Sequence, residues 1–258
     1  VVKKQMLISS PQMPVEASGK QDTSEGLSDR EVDFLNKAKG LPHVIQLHRV
    51  NTYYSKRAWK ANIQELVTPE YNMGELFKHV GLPVLTNKVK LQIAVDVLKG
   101  IQGLHRRGII HRDIKLENIF LSEIFEDGKK VIHAYVGDLG LACERENDPD
   151  RLLRVGTPDY MPPAMMKDQE IADFEMDAYS FGVLLYALYK GKFPLPDHAK
   201  AGYERAWRNL DDPLKNPAPQ DQNSIEYVIW KLVQPTKAKR MGIDEALLKV
   251  EALLAASP

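Results

Sequence analysis

The chain has 258 residues, 43% of them hydrophobic, with 35 basic side chains balanced by 35 acidic ones. That length and apolar content suffice for one two-lobed domain or two small ones, and the zero formal charge provides no global basic field for nucleic acid. The longest apolar run, around Phe181 to Tyr189, is roughly half the ~20 residues of a membrane-spanning helix. The single Cys143 excludes an internal disulfide and favours a reducing compartment, so the default expectation is cytoplasmic. Because the chain starts at Val1 without an initiator Met, a trimmed domain is expected.

In chain order, Val1 to Ile8 is β-branched at its start and predicts a strand. Ser9 to Gly26, with Ser, Pro, Gly and Gln, predicts a loop. Ser28-Asp29-Arg30-Glu31 fits a capping box with Leu27 placed to staple onto Val32, so a helix is expected to begin at Ser28. His43 to Val50 and Ala58 to Val67 predict a strand pair connected by Asn51 to Arg57. From Asn87 to Arg107, Val89, Ile93, Val97, Ile101 and Leu104 keep helical spacing and predict a long core-facing helix that delivers the chain to His111. Val131 to Val136 predicts a strand leading into Asp138, and after Pro158 to Pro163 helical patterns recur at Met176 to Tyr189, Ser224 to Val233 and Ile243 to Leu254. Strands first and helices afterwards predict an α+β fold: one domain over 1–258, with a small sheet lobe (1–68) on a larger helical lobe (69–258).

The chemistry is concentrated in His111-Arg112-Asp113-Ile114-Lys115-Leu116-Glu117-Asn118 and, about twenty residues on, Asp138-Leu139-Gly140. An Asp to accept a hydroxyl proton, a Lys to neutralise a migrating phosphate, and an Asn and a second Asp to hold Mg²⁺ are what a charge-spread phosphoryl transfer requires. In order and spacing the string resembles the catalytic loop and D-F-G turn of eukaryotic-type protein kinases, which implies a bilobal kinase fold, ATP and Mg as cofactors, and protein substrates. The resemblance makes Asp113 the catalytic Asp, Lys115 the Lys beside it in kinases acting on Ser or Thr, Asn118 the second metal ligand and Asp138 the principal one. Leu139 replaces the usual Phe. Gly156-Thr157-Pro158-Asp159-Tyr160 resembles the peptide-docking segment, and Asp177, Ser180 and Gly182 match a D-x-x-S-x-G helix whose Asp grips the catalytic-loop backbone.

At the amino end, Glu31 resembles the regulatory-helix partner of the phosphate-binding Lys, against the simpler reading as the last residue of the capping box. Val1-Val2-Lys3-Lys4 resembles the V-A-I-K strand. Motif likeness favours Lys3, whereas an apolar inner face of Val2, Met6 and Ile8 would include Lys4. A glycine-rich phosphate-covering loop is missing from the string, trimmed or never there. That absence, with the Gly156 to Pro163 string, is similar to the secreted rhoptry and dense-granule kinases of apicomplexan parasites, and implies a secreted effector if the narrower resemblance holds. A pseudokinase serving as a binding or scaffolding module is the alternative, motivated by the missing loop; a small-molecule kinase is disfavoured by the peptide-docking segment.

The other conspicuous residues have structural readings. Seven histidines and one Cys show no zinc-type spacing, Trp59, Trp207 and Trp230 are expected to pack, and Lys237 to Arg240 reads as a solvated helix start apart from Arg240. Ala164 stands where the family places a Glu for the Arg matched by Arg240, so Arg240 is expected to be solvated or paired with Asp168, Glu170 or Asp173. Leu139 to Gly156 contains no Ser, Thr or Tyr, and Glu144, Glu146, Asp148 and Asp150 are expected to offer Arg112 permanent negative charge.

Overall fold

The computed structural model describes residues 2–9, 24–55, 61–166, 171–191 and 218–257, with side chains described except at 2–9, 24–28, 54–55, 61–63 and 166. Strands β1 (Val2–Ser9), β2 (Arg49–Ser55) and β3 (Ala61–Thr68) form an antiparallel sheet in the order β1-β3-β2. Helix α1 (Ser24–Lys37) lies against β1 and buries Phe34 and Leu35. It begins four residues before the expected start, so Ser28 is inside the helix and cannot cap it. Glu31, 2% exposed, is therefore not the closing residue of a capping box.

The strand expected over His43 to Val50 forms only at Arg49–Val50, the start of β2, which continues through most of the expected connection. The reason is that Val44 and Ile45 bury against the helical lobe: the Ile45 N–H donates to the Val136 carbonyl at 2.9 Å, and the Val136 N–H to the His43 carbonyl at 2.8 Å. Between the lobes, β4 (Gly74–Glu75) leads to α2 (Asn87–Arg106), which is capped by Thr86 accepting the Val89 N–H at 3.3 Å. Ile93, Val97, Ile101 and Leu104 of α2 are fully buried, as the spacing predicts.

Beyond α2 come β5 (Ile109–Ile110), the hairpin β6 (Ile119–Glu126) and β7 (Lys129–Val136), β8 (Cys143–Glu144), α3 (Pro163–Met166), α4 (Phe174–Lys190), α5 (Ile225–Leu232) and α6 (Ile243–Ala255). Of this hairpin only the second strand is predicted by sequence; it turns at Asp127-Gly128, both with positive φ, the geometry that suits a twisted hairpin. Strand β4 pairs with β6, and β5 with β8. Helix α4 is buried on nearly every face and packs on α5, where a Cβ on Gly182 would lie 2.7 Å from that of Leu232.

Buried polar groups tie these pieces together. The Asp96 carboxylate of α2 accepts the Ala134 N–H at 3.0 Å, His133 Nδ1 at 3.0 Å and Gln92 Nε2 at 2.8 Å, with His43 Nδ1 at 3.6 Å, so residues remote in sequence converge where α2 meets β7. Arg240 is 8% exposed and donates to the carbonyls of Gln234, Glu175 and Pro235 at 2.8 to 3.1 Å, with its guanidinium over the Tyr179 ring. Carbonyls thus meet it at the end of the domain. Of the acids expected there, Asp168 and Glu170 lie outside the described residues, and Asp173 accepts from Lys237 at 2.7 Å and Arg145 at 3.0 Å. Lys237 is accordingly ion-paired rather than simply solvated. Trp59 and Trp207 lie outside the described residues, and Trp230 is half-buried beside Tyr227.

Candidate active site

Strand β5 carries the chain directly into His111, whose ring is fully buried. His111 Nε2 lies 2.9 Å from the Gly137 carbonyl and Nδ1 3.2 Å from the Asp113 N–H, an arrangement that makes Nε2 the donor and Nδ1 the acceptor. Arg112 sits at φ +67°, unusual for a non-glycine residue, a conformation that costs on the order of 1–3 kcal/mol unless its surroundings enforce it. Asp177 of α4 enforces it. Its carboxylate, fully buried, accepts the backbone N–H groups of His111 and Arg112 at 2.9 Å each and His105 Nε2 at 2.8 Å. Burial alone would raise the Asp177 carboxyl, but the His105 contact and the loop amides hold it below the ordinary carboxylate value.

With the loop fixed, Asp113 becomes the hub of the site. One carboxylate oxygen accepts the Thr157 N–H at 2.9 Å and the Thr157 hydroxyl at 2.7 Å; the other faces Lys115 Nζ at 2.7 Å and Asn118 Nδ2 at 2.9 Å. Lys115 Nζ also donates to the Thr157 hydroxyl at 2.9 Å, closing a three-residue ring. Burial pushes the Asp113 carboxyl upward, but the Lys115 and Thr157 hydrogen bonds and the Lys115 charge outweigh it and hold the group below its ordinary value, hence ionised at neutral pH. Asn118 spends its amide N–H groups on Asp113, which leaves its carbonyl oxygen as the acceptor for a cation. Gly156, at φ +115°, brings Thr157 in so closely that a Cβ there would stand 2.5 Å from the Arg112 carbonyl oxygen.

Asp138, at φ +60°, and Glu31 reach the site from above. Gly140 lies between them: a Cβ built on it would be 3.3 Å from Asp138 Oδ1 and 3.8 Å from Glu31 Oε2. Both carboxylates line a cavity of about 300 Å³ whose other walls include Leu35, Ile45, Leu66, Tyr71 and Phe120. Leu139, in place of Phe, is fully buried in the core. Two carboxylates and apolar walls suit a nucleotide with its counter-ion. The side chains of Lys3 and Lys4 lie outside what the structure describes, but the ladder pairs Lys3 with Val67 and Lys4 with Leu66. Opposed residues of an antiparallel pair share a face. Leu66 lines the cavity, so in the backbone register position 4 pairs with a cavity-lining residue and position 3 does not.

A sheet lobe over a helical lobe, with an acid-base ring at their junction, is the arrangement of a phosphoryl-transferring catalytic domain. The chain belongs to the protein kinase domain family, which it matches over residues 13–250. It is similar to the dual serine/threonine and tyrosine protein kinase of Xenopus laevis (32% identical over 180 residues, 66% of this chain and 18% of that protein). It is similar also to those of Mus musculus and Homo sapiens (each 31% identical over 173 residues, 64% of this chain and 17% of those proteins). The chain therefore spans less than a fifth of the length of these relatives. As a protein kinase domain it implies ATP, a divalent ion and protein substrates.

Proposed function

We propose that this domain transfers a phosphoryl group from ATP to Ser or Thr hydroxyls of protein substrates, with Mg²⁺ as the ion. The observation that carries the reading is the ring of Asp113, Lys115 and Thr157, because a carboxylate kept ionised beside a cation can accept the proton of an incoming hydroxyl. Asp113 takes that proton, Lys115 balances the charge gathering on the transferred group, and Asn118 and Asp138 hold the ion. Glu31 holds the phosphate-binding Lys, for which the register favours Lys4 over Lys3. The bound nucleotide supplies the transferable phosphoryl group, and the ion neutralises its oxygens.

The pseudokinase alternative has less support, since a binding module has no need to keep an ionised Asp113 in contact with both Lys115 and Asn118. Dual specificity is the second reading, favoured by the names of the similar proteins. Incubation with labelled ATP, Mg²⁺ and protein substrates, followed by phosphoamino-acid analysis, tests all three. Phosphoserine and phosphothreonine alone support the proposal, added phosphotyrosine supports dual specificity, and no transfer at all refutes the enzyme.

A further inference from the structure

We propose that Arg30 is a positioning residue: it locks helix α1 to the segment after Asp138 through two aspartates that do, permanently, what a phosphate would do. The inference rests on the kinase reading above and concerns how its active geometry is held.

All three guanidinium nitrogens of Arg30 are spent on that segment. Nε donates to the Ala142 carbonyl at 2.8 Å, Nη2 to Asp148 Oδ2 at 2.8 Å and Nη1 to Asp150 Oδ2 at 2.5 Å. Asp148 is itself fixed, since its carboxylate accepts the Glu144 N–H at 3.0 Å and the Asp150 N–H at 2.9 Å. The Arg30 side chain is 22% exposed and that of Asp148 13%, so this is a partly desolvated cluster rather than a loose surface pair. Two turns further along α1, Lys37 meets Glu144 at 2.5 Å, but both side chains are about half exposed, and such a pair contributes little.

The acids were expected to serve Arg112. The charges of Asp148 and Asp150 do favour charged Arg112, but its direct hydrogen bonds go to backbone, to the carbonyls of Leu141 and Asp150 at 2.5 Å each. Asp150 is thus shared, its side chain held by α1 and its carbonyl by the catalytic loop. Arg30 and Glu31 are successive residues on a helix, pointing about 100° apart: one reaches the segment while the other reaches the cavity beside Asp138. A rotation or retreat of α1 that withdrew Glu31 would break the Arg30 bonds. Two carboxylates together match the charge of a phosphate, about −1.5 to −2, and residues 139–156 contain no hydroxyl side chain to be phosphorylated. The helix is set without modification.

The test compares wild type with Arg30→Ala and with the double variant Asp148→Asn/Asp150→Asn, all shown by mass spectrometry to be unphosphorylated. Melting temperature, kcat, KM for ATP and hydrogen exchange are measured for each. Arg30→Ala should lower kcat/KM for ATP by about 10-fold or more, within the usual range of a coupling between sites, and speed exchange together in α1 and in 142–150. The double variant should do the same, and it decides the matter if Arg30→Ala fails to fold. Lys37→Ala should stay within about twofold. Restoration of activity by the swap Arg30→Asp with Asp150→Arg would separate positioning from bulk stability. Wild-type kcat/KM and exchange in both Arg30→Ala and the double variant overturn the inference, as does a lowered melting temperature with unchanged kinetics. If wild type and Asp113→Asn are equally inactive, the kinase reading itself fails, and the exchange measurement alone decides the role of Arg30.

Discussion

Gly156→Ala should separate catalysis from nucleotide binding. An ideal Cβ on Gly156 meets the Arg112 carbonyl oxygen at 2.5 Å, and real contacts of that kind do not fall below 3.0 Å, so one partner must move by at least half an ångström. Arg112 cannot give way easily, because its N–H is held by the buried Asp177 carboxylate and its own φ is already forced to +67°. The segment must therefore shift, and with it Thr157, whose N–H and hydroxyl hold Asp113 at 2.9 and 2.7 Å. An L side chain at φ +115° adds backbone strain of about 1–3 kcal/mol. A misplacement approaching 1 Å in a catalytic group costs up to about 10²-fold, so kcat on a peptide substrate should fall by about 10- to 100-fold. Nucleotide affinity, measured by calorimetry, should hardly change, because Gly156 does not line the cavity. Gly191→Ala is the control: its φ is +65° but among the described residues nothing lies within 4 Å, so it should lose about 1 kcal/mol of stability and no activity. A Gly156→Ala enzyme with kcat within twofold of wild type would show that Thr157 does not organise Asp113.

Asp113→Asn should reduce turnover by about 10²- to 10⁴-fold with nucleotide affinity nearly intact, whereas Asp138→Asn should weaken metal-dependent nucleotide binding; equal activity of wild type and Asp113→Asn would sink the assignment. Lys4→Met should impair ATP use and Lys3→Met should not, which steady-state kinetics on the two variants would show directly. Asp177→Asn should destabilise the domain by about 3–5 kcal/mol, as expected when one half of a buried charged network is removed, read from denaturant unfolding. The Asp177 carboxyl titrates lower in the folded than in the unfolded chain, so its stabilisation is full above the unfolded value and is lost as pH falls through the folded one. Acid unfolding of Asp177→Asn should accordingly show a shallower pH dependence than wild type.

What the sequence disclosed divides along physical lines. The long helices were legible because Ile93, Val97, Ile101 and Leu104 repeat at helical spacing and no competing arrangement buries them. The catalytic string was legible because its groups must sit at fixed intervals around one reacting centre, and the structure brings Asp113, Lys115 and Asn118 together and places Asp138 and Glu31 on one cavity. Local patterns misled where tertiary contacts outbid them. Ser28 to Glu31 makes a plausible cap, yet the helix starts earlier, and Glu31 is buried. Val44 and Ile45 look like a strand but dock on β7. The meeting of His43, Asp96 and His133 was hidden because 90 residues separate its ends.

Charge was the least legible property of all, and the reason bears on function. Sequence gives the positions of Asp148 and Asp150 but not which cation they meet, because ion pairs carry no periodicity. The family resemblance pointed them at Arg112; the fold lets their charges favour charged Arg112 but gives it carbonyls as direct hydrogen-bond partners, and gives the carboxylates to Arg30, 118 and 120 residues away. Arg240 likewise donates to three backbone carbonyls, while two of the acids expected near it, Asp168 and Glu170, lie outside the described residues. In both places carbonyls accept from a buried guanidinium, and carbonyls are placed by the fold rather than by the identity of a neighbouring side chain. Backbone satisfaction frees carboxylates for other work. Here the carboxylates meet Arg30, on the helix that carries Glu31, and for that reason the segment after Asp138, with no hydroxyl side chain over residues 139–156, can still hold the cleft in order.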